Sequence, residues 1–325
     1  MRPTRELDSA WREYEALVGW TRRQQVRQVA GAVQAIEEVL RETAGRLRQE
    51  IRTIPRGIEG DRYKRELLGS VERELERFRA RYQGELDKSI VDAARLVAER
   101  ETAALDVLLR ARHALPADQA LTLLTEAGQA RARFGSVPAR VLERAYLRLY
   151  PRHQRLAGIL TNLSTEGGAR IRRGILEALA RGEGPRKAML PIRDELLRDG
   201  VDNARYRAER IARTEINTAY REAHVAGVTR EDGSLVPWVT AVGRRLSSAH
   251  RRPDICDVWA SQDQDGLGAG NYLPQNVPAD HPNGFCFTVS VLAAFPGRQF
   301  AGSVRPQPDK VPESQRRYYG VEAAA

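Results

Sequence analysis

Cysteine is nearly missing. The 325 residues hold two, Cys256 and Cys286, so no disulfide framework organises this chain. Aromatic residues make up only 6%, too few for a large β-rich core and better suited to long, solvated helices. No apolar run approaches the length of a membrane span, and no membrane segment is expected. The first residues, Met1-Arg-Pro-Thr-Arg-Glu6, lack the apolar stretch of a secretory signal. Lysine is scarce as well. Of the 53 basic residues only four, Lys64, Lys88, Lys187 and Lys310, are lysine. The scarcity of cysteine points to a protein made in a reducing cytoplasm.

What is present is charge, 30% of residues, with a net +10. It is unevenly placed. From Val236 onward 9 basic residues face 8 acidic ones, so almost all of the excess lies before that point. Arginine pairs bidentately with phosphate and carboxylate, so an arginine-rich surface suits nucleic acid; a GC-rich genome produces the same bias without any such role.

Residues 1–115 read as helix. Trp11, Tyr14, Leu17 and Val18 share one face, and Val26, Val29, Val33, Ile36, Val39, Leu40 and Leu47 continue the pattern. Ile54–Gly60 breaks it, and Asp61 can cap a second helix whose ladder is Tyr63, Leu67, Val71, Leu75, Phe78, Tyr82, Leu86 and Ile90. Such a stripe must be covered, either by a second helix of the same chain or by another chain, which leaves oligomerisation through these helices open. Shorter helices are expected at Ala117–Arg133, at Pro138–Leu149 with proline in its first turn, at Arg155–Ala180, at Arg186–Arg198 and at Ala204–Gly227. Past Asp232-Gly233 the texture changes. A strand is expected near Leu235–Val242 and another at Phe285–Leu292, separated by a stretch rich in Gly, Asp, Asn and Pro. The polar end after Val304 reads as a tail, disordered or folded onto a partner.

Two tight clusters carry chemistry: His250-Arg-Arg-Pro-Asp-Ile-Cys256 and His281-Pro-Asn-Gly-Phe-Cys286. Two imidazoles and two thiols form a natural tetrahedral zinc set, and a structural zinc would cross-link a small domain with little core. Asp254 or Asp257 can replace His250 as ligand, or orient a ligating imidazole. Buried unliganded thiols and a disulfide between Cys256 and Cys286 remain alternatives. Asp280-His281 with Asn283 also bears a faint likeness to an HNH-type nuclease, without that motif's further histidine. Upstream, Ala212-Arg213-Thr214-Glu215-Ile216-Asn217 lies on the last long helix, where an Arg/Glu pair can anchor the helix to the small β-containing part.

These elements, in this order, resemble the Mu F-like head-morphogenesis family of tailed phages: Arg213-Thr214-Glu215 with Asn217 and Ala219, then Trp238, His250 with Asp254-Ile-Cys256-Asp257, Tyr272, Pro278, and His281-Pro282 with Cys286. The likeness covers about residues 155–295. One departure is that Gly284 stands where the family often has a further cysteine, which puts more weight on His250. The resemblance implies a fold that is mainly α with a small C-terminal α+β domain. Its parts would be a long helical hairpin or bundle (1–150), a compact zinc-stabilised Mu F-like domain (151–300) and a polar tail (301–325). It implies a non-enzymatic minor head protein inside the virion or at the portal vertex, acting in capsid assembly and DNA packaging or ejection. The implied partners are the portal protein, the major capsid or scaffold protein, and packaged double-stranded DNA. A zinc-stabilised DNA-binding or DNA-processing protein is the alternative.

Overall fold

The structure is a computed structural model; it describes residues 5–53, 61–148, 200–250, 252–281, 284, 286–298, 300 and 303–321. It is mostly helical, with one small antiparallel sheet near the C-terminus. The helices are α1 (Arg5–Thr53), α2 (Asp61–Arg110), α3 (Ala117–Leu147), α4 (Gly200–Val228), α5 (Ile255–Ser261) and α6 (Glu313–Tyr318). The strands are β1 (Val239–Arg245), β2 (Asn271–Tyr272) and β3 (Phe287–Leu292), with β1 in the middle. Val242 pairs with both Tyr272 and Ser290. Among the described residues no helix is long and apolar enough to cross a membrane. The helices expected at Arg155–Ala180 and Arg186–Arg198 lie outside the described residues.

By contact the chain forms two compact units. One gathers residues 1–28, 90–143 and 213–325; the other gathers 29–89 and 144–212. A helix of about 50 residues is some 75 Å long, too long for one small core, so α1 and α2 each supply side chains to both.

In the second unit Val29, Ala32, Ile36 and Val39 of α1 and Phe78, Tyr82 and Leu86 of α2 are buried. Arg46 pairs with Glu74 at 2.9 Å, and Glu42 pairs with Arg81. The pairing runs backwards along the two sequences, so the helices are antiparallel here. The part of the apolar ladder from Phe78 to Ile90 is thus covered within the chain.

The first unit packs α1, α2, α3 and α4 against the sheet. Trp11, Tyr14, Leu105, Leu108, Leu123, Phe134, Val242, Tyr272, Val289, Phe295 and Phe300 share its core. Trp11 meets Phe295 and Phe300 with ring centres 5.4 and 5.1 Å apart. The sequence places a break near Gly135 and a new helix at Pro138, but α3 runs unbroken with Pro138 inside it. A mid-helix proline removes one backbone bond and costs about 3 kcal/mol. Burial of Phe134, Val137 and Val141 on both sides of it offsets that cost. The C-terminal stretch is also not a free tail in its described part. Val311 is buried against α5, with Val304, Tyr319 and Val321 packed beside it.

A buried polar knot ties the helices to β3. Ser290 Oγ donates to Glu101 of α2 at 2.9 Å and accepts from His224 Nε2 of α4 at 2.9 Å. Arg100 donates to Glu101 at 2.8 Å and to the Thr288 carbonyl at 3.0 Å, and Tyr14 donates to the Ser290 carbonyl at 2.8 Å. His224 Nδ1 has no partner, which fixes the neutral Nε2–H form. Burial pushes its pKa down to about 3, against the opposing pull of Glu101.

The sign of the pH effect follows. Between roughly pH 6.5 and 3 the unfolded chain binds a proton that native His224 refuses, so stability falls as pH falls through that window. Urea unfolding at about pH 7 and 5 should show a loss about 2 kcal/mol larger in wild type than in His224→Gln. Equal losses would contradict this.

Candidate metal centre

The Asp254-Ile-Cys256-Asp257 spacing is first of all a helix start. Asp254 is the N-cap of α5, and its Oδ1 accepts from the Cys256 amide at 2.8 Å. Asp257 reaches back, its Oδ2 accepting from the Asp254 amide at 2.9 Å. This reciprocal capping fixes both carboxylates and leaves Asp254 Oδ2 free to face elsewhere. It faces His281, whose Nε2 is 3.2 Å away.

Asp257 does more than cap. Its Oδ2 also lies 2.6 Å from His250 Nε2, and its Oδ1 accepts from the Gln307 amide at 2.8 Å. His250 itself is delivered by a tight turn after β1, its amide donating to the Ser247 carbonyl at 2.9 Å. With Nε2 held by a carboxylate, Nδ1 points at Asp254 Oδ2, 3.8 Å away, and at Cys286 Sγ, 3.9 Å away. An imidazole held by a carboxylate at one nitrogen, with the other turned to a donor cluster, is the usual posture of a metal-binding histidine.

The donor atoms of Asp254, Cys256 and His281 all lie within 4.8 Å of one another, and so do those of His250, Asp254 and Asp257. Either group could hold a metal ion. The four residues expected from sequence therefore do not form one equal set. Cys256 and His281 share the first trio with Asp254, which takes the place expected of His250. His250 belongs to the second trio. Cys286 stands beside Cys256 and His250 but in neither trio. Both cysteines are free and buried, with no disulfide between them.

Electrostatics mark Cys256 as the anionic thiol. Burial raises its pKa, but contacts with Cys286, Arg244 and His281 outweigh that and bring it well below the ordinary thiol value. Cys286 moves the other way, well above, through its contact with Cys256 and its burial. Burial opposes protonation of His281, yet Asp254 and Cys256 prevail and lift it to about 10. Asp254 and Cys256, both favoured as anions, thus hold a proton on His281 between them.

Arg244 on β1 was not singled out in the sequence. It is 1% exposed. Its guanidinium lies 3.4 Å from Cys256 Sγ and 3.1 Å from Asp280, donates to the Pro278 carbonyl at 3.2 Å and sits over the Trp259 ring. The available clue was an Arg-Arg pair closing an apolar strand. Gly270 makes room for this strand. Its φ is +67°, its carbonyl accepts from the Arg244 amide at 2.7 Å, and a Cβ there would strike the Ala260 carbonyl.

Of the Arg213–Asn217 stretch, Asn217 makes the contacts that reach the centre. Glu215 is buried and Arg213 half-buried. Asn217 Oδ1 accepts from Gln25 Nε2 at 2.9 Å, and Nδ2 donates to the Gly284 carbonyl. The Gly284 amide in turn donates to the His281 carbonyl at 3.1 Å. One buried amide thus joins α1, α4 and the loop bearing His281.

Comparison with known protein families, with curated proteins and with solved structures finds no match for this chain.

Removing a buried amide leaves both its partners unpaired, which costs about 1–3 kcal/mol. Asn217→Ala should therefore lower stability by that amount in urea unfolding, whereas an exposed change such as Arg23→Ala should cost under about 0.5 kcal/mol. Equal effects would remove Asn217 from this role.

Proposed function

We propose that this chain is a non-enzymatic minor head protein of a tailed phage or gene-transfer particle, similar to the Mu F-like family. It sits in the capsid interior or at the portal vertex and binds the portal protein. The observation that carries the reading is convergence. The short elements that carry the resemblance are spread over some seventy residues, and several meet at one spot: Asp254, Cys256, His281 and Cys286 lie together, and Asn217 reaches them through Gly284, whose carbonyl accepts from Asn217 and whose amide donates to the His281 carbonyl. Scattered motifs without a common purpose have no reason to converge. Gly284 supports the same reading. A side chain there would bring its Cβ within 3.3 Å of His281 Nε2, so the cysteine that the family often carries at this place would face the same donors.

The cofactor that suits the site is one structural zinc. Asp254, Cys256 and His281 hold it, and Cys286, beside Cys256, fills the fourth position. His250, held by Asp257, backs Cys286 and Asp254. The charges agree with this. Two thiolates and Asp254 bring three negative charges, and a divalent cation with Arg244 brings three positive ones. Thiolate and imidazole donors in a tetrahedral set favour zinc over magnesium or calcium. When bound, the ion supplies a cross-link between the start of α5 and the loop before β3.

A nuclease reading is disfavoured by Asp280. It accepts from Arg221 and Arg244, each at 3.1 Å, so it is not aimed at an open metal position. The donor cluster is also buried, and hydrolysis needs a place for water and a general base.

Elemental analysis of the purified protein should find one zinc per chain, and Cys256→Ser should lose it. His250→Ala should keep the metal with affinity weakened about 10–100-fold; complete loss would place His250 among the ligands instead. Coexpressed with portal protein, wild type should co-purify with it and should not cleave DNA with added zinc, magnesium or manganese. Cleavage abolished by His281→Ala in a folded variant would overturn the head-protein reading in favour of a nuclease.

A further inference from the structure

We propose that the outward face of α1 from Arg12 to Arg27 binds nucleic acid through its phosphodiester backbone. Arg12, Ala16, Trp20, Arg23 and Arg27 are exposed and follow one another at intervals of three or four residues, so they form a single stripe. Trp20 is 42% exposed. No aspartate or glutamate occurs from Ala16 to Ile36, although acidic residues number 43 in the chain.

Several exposed arginines meet carboxylates: Arg95 with Asp92, Arg110 with Glu13, Arg131 with Asp106 and Arg317 with Glu313. Single exposed arginines such as Arg140 and Arg305 also lack a carboxylate, but on α1 three of them share one stripe. Arg12, Arg23 and Arg27 have no such partner among the described residues. The nearest acids on the same helix do not neutralise them. Glu13 is taken by Arg110, and Glu15 is half-buried with a contact of its own.

Three unpaired guanidiniums in a row suit a polyanion with closely spaced charges. An exposed indole between them adds a surface on which a base can stack, and the small Ala16 lets a strand approach the helix. A protein surface carries charges of both signs, whereas a face with no acidic residue from Ala16 to Ile36 suits the uniform negative charge of a phosphate backbone. That contrast favours nucleic acid. The inference does not depend on the metal centre or on the head-protein reading.

The test uses the full chain and fluorescence anisotropy with a labelled oligonucleotide of about 30 residues, single-stranded in one arm and duplex in the other. Wild-type affinity should fall roughly 20–40-fold between about 50 and 200 mM salt if three phosphates are contacted. The combined Arg12→Gln, Arg23→Gln and Arg27→Gln variant should lower the log–log salt slope by about 2–3. Trp20→Ala should weaken the single-strand arm about fivefold or more and the duplex arm less. Circular dichroism and zinc content should match wild type, and a single Arg23→Glu variant provides a second route if the triple variant is poorly folded. A control exchanging the paired Arg95, Arg110 and Arg131 should leave binding within about twofold. Unchanged binding in the triple variant would overturn the proposal. So would displacement of the oligonucleotide by polyglutamate as effective as by unlabelled DNA, which would assign the stripe to an acidic protein.

Discussion

Buried negative charge must be matched by buried positive charge, and in the C-terminal part of this protein that requirement shapes everything nearby. Asp254, Cys256 and Cys286 lie together in a small core whose apolar members are few: Leu246, Ile255, Val258, Trp259, Ala260 and Val311. Taking three potential anions out of water costs more than such a core recovers unless cations go with them. Arg244 supplies one charge from β1, and His281 supplies another by taking a proton in the metal-free form. The proposed zinc replaces that proton with a stronger and directional partner. The same site thereby gains a cross-link that its apolar contacts are too few to provide.

The rest of the unit is arranged to hold this cluster still. The capping pair of α5 sets both carboxylates, β1 brings Arg244 beneath them, and Asn217 pins the loop after His281. The knot of Glu101, Ser290 and His224 fastens α2 and α4 to β3, whose first residues follow Cys286. None of these groups is exposed. They form a chain of polar contacts from the long helices to the donor cluster, which favours one arrangement of loop and helix over looser alternatives.

Much of this was legible beforehand because it rests on period. The ladder through Phe78, Tyr82, Leu86 and Ile90 repeats every three or four residues, and all four are buried. The two clusters around Cys256 and Cys286 were found from residue type alone, since imidazoles and thiols are rare here. Other features left no local trace. Pro138 stays helical because Phe134, Val137 and Val141 hold it from outside, and propensity does not register tertiary packing. β2 is two residues long, below what alternation can reveal. Asp254 joins both trios because one of its oxygens is spent on a helix cap while the other faces the histidines, a detail of geometry and not of spacing. The fold-back of Val311 and Tyr319 is hidden in a stretch whose composition is polar.

X-ray absorption at the zinc edge tests the central claim most directly, because it reports the donors themselves. The account predicts two sulfur neighbours at about 2.3 Å and two nitrogen or oxygen neighbours at about 2.0–2.1 Å. A metal with no sulfur shell, or a protein purified under reducing conditions that takes up no zinc, would contradict it.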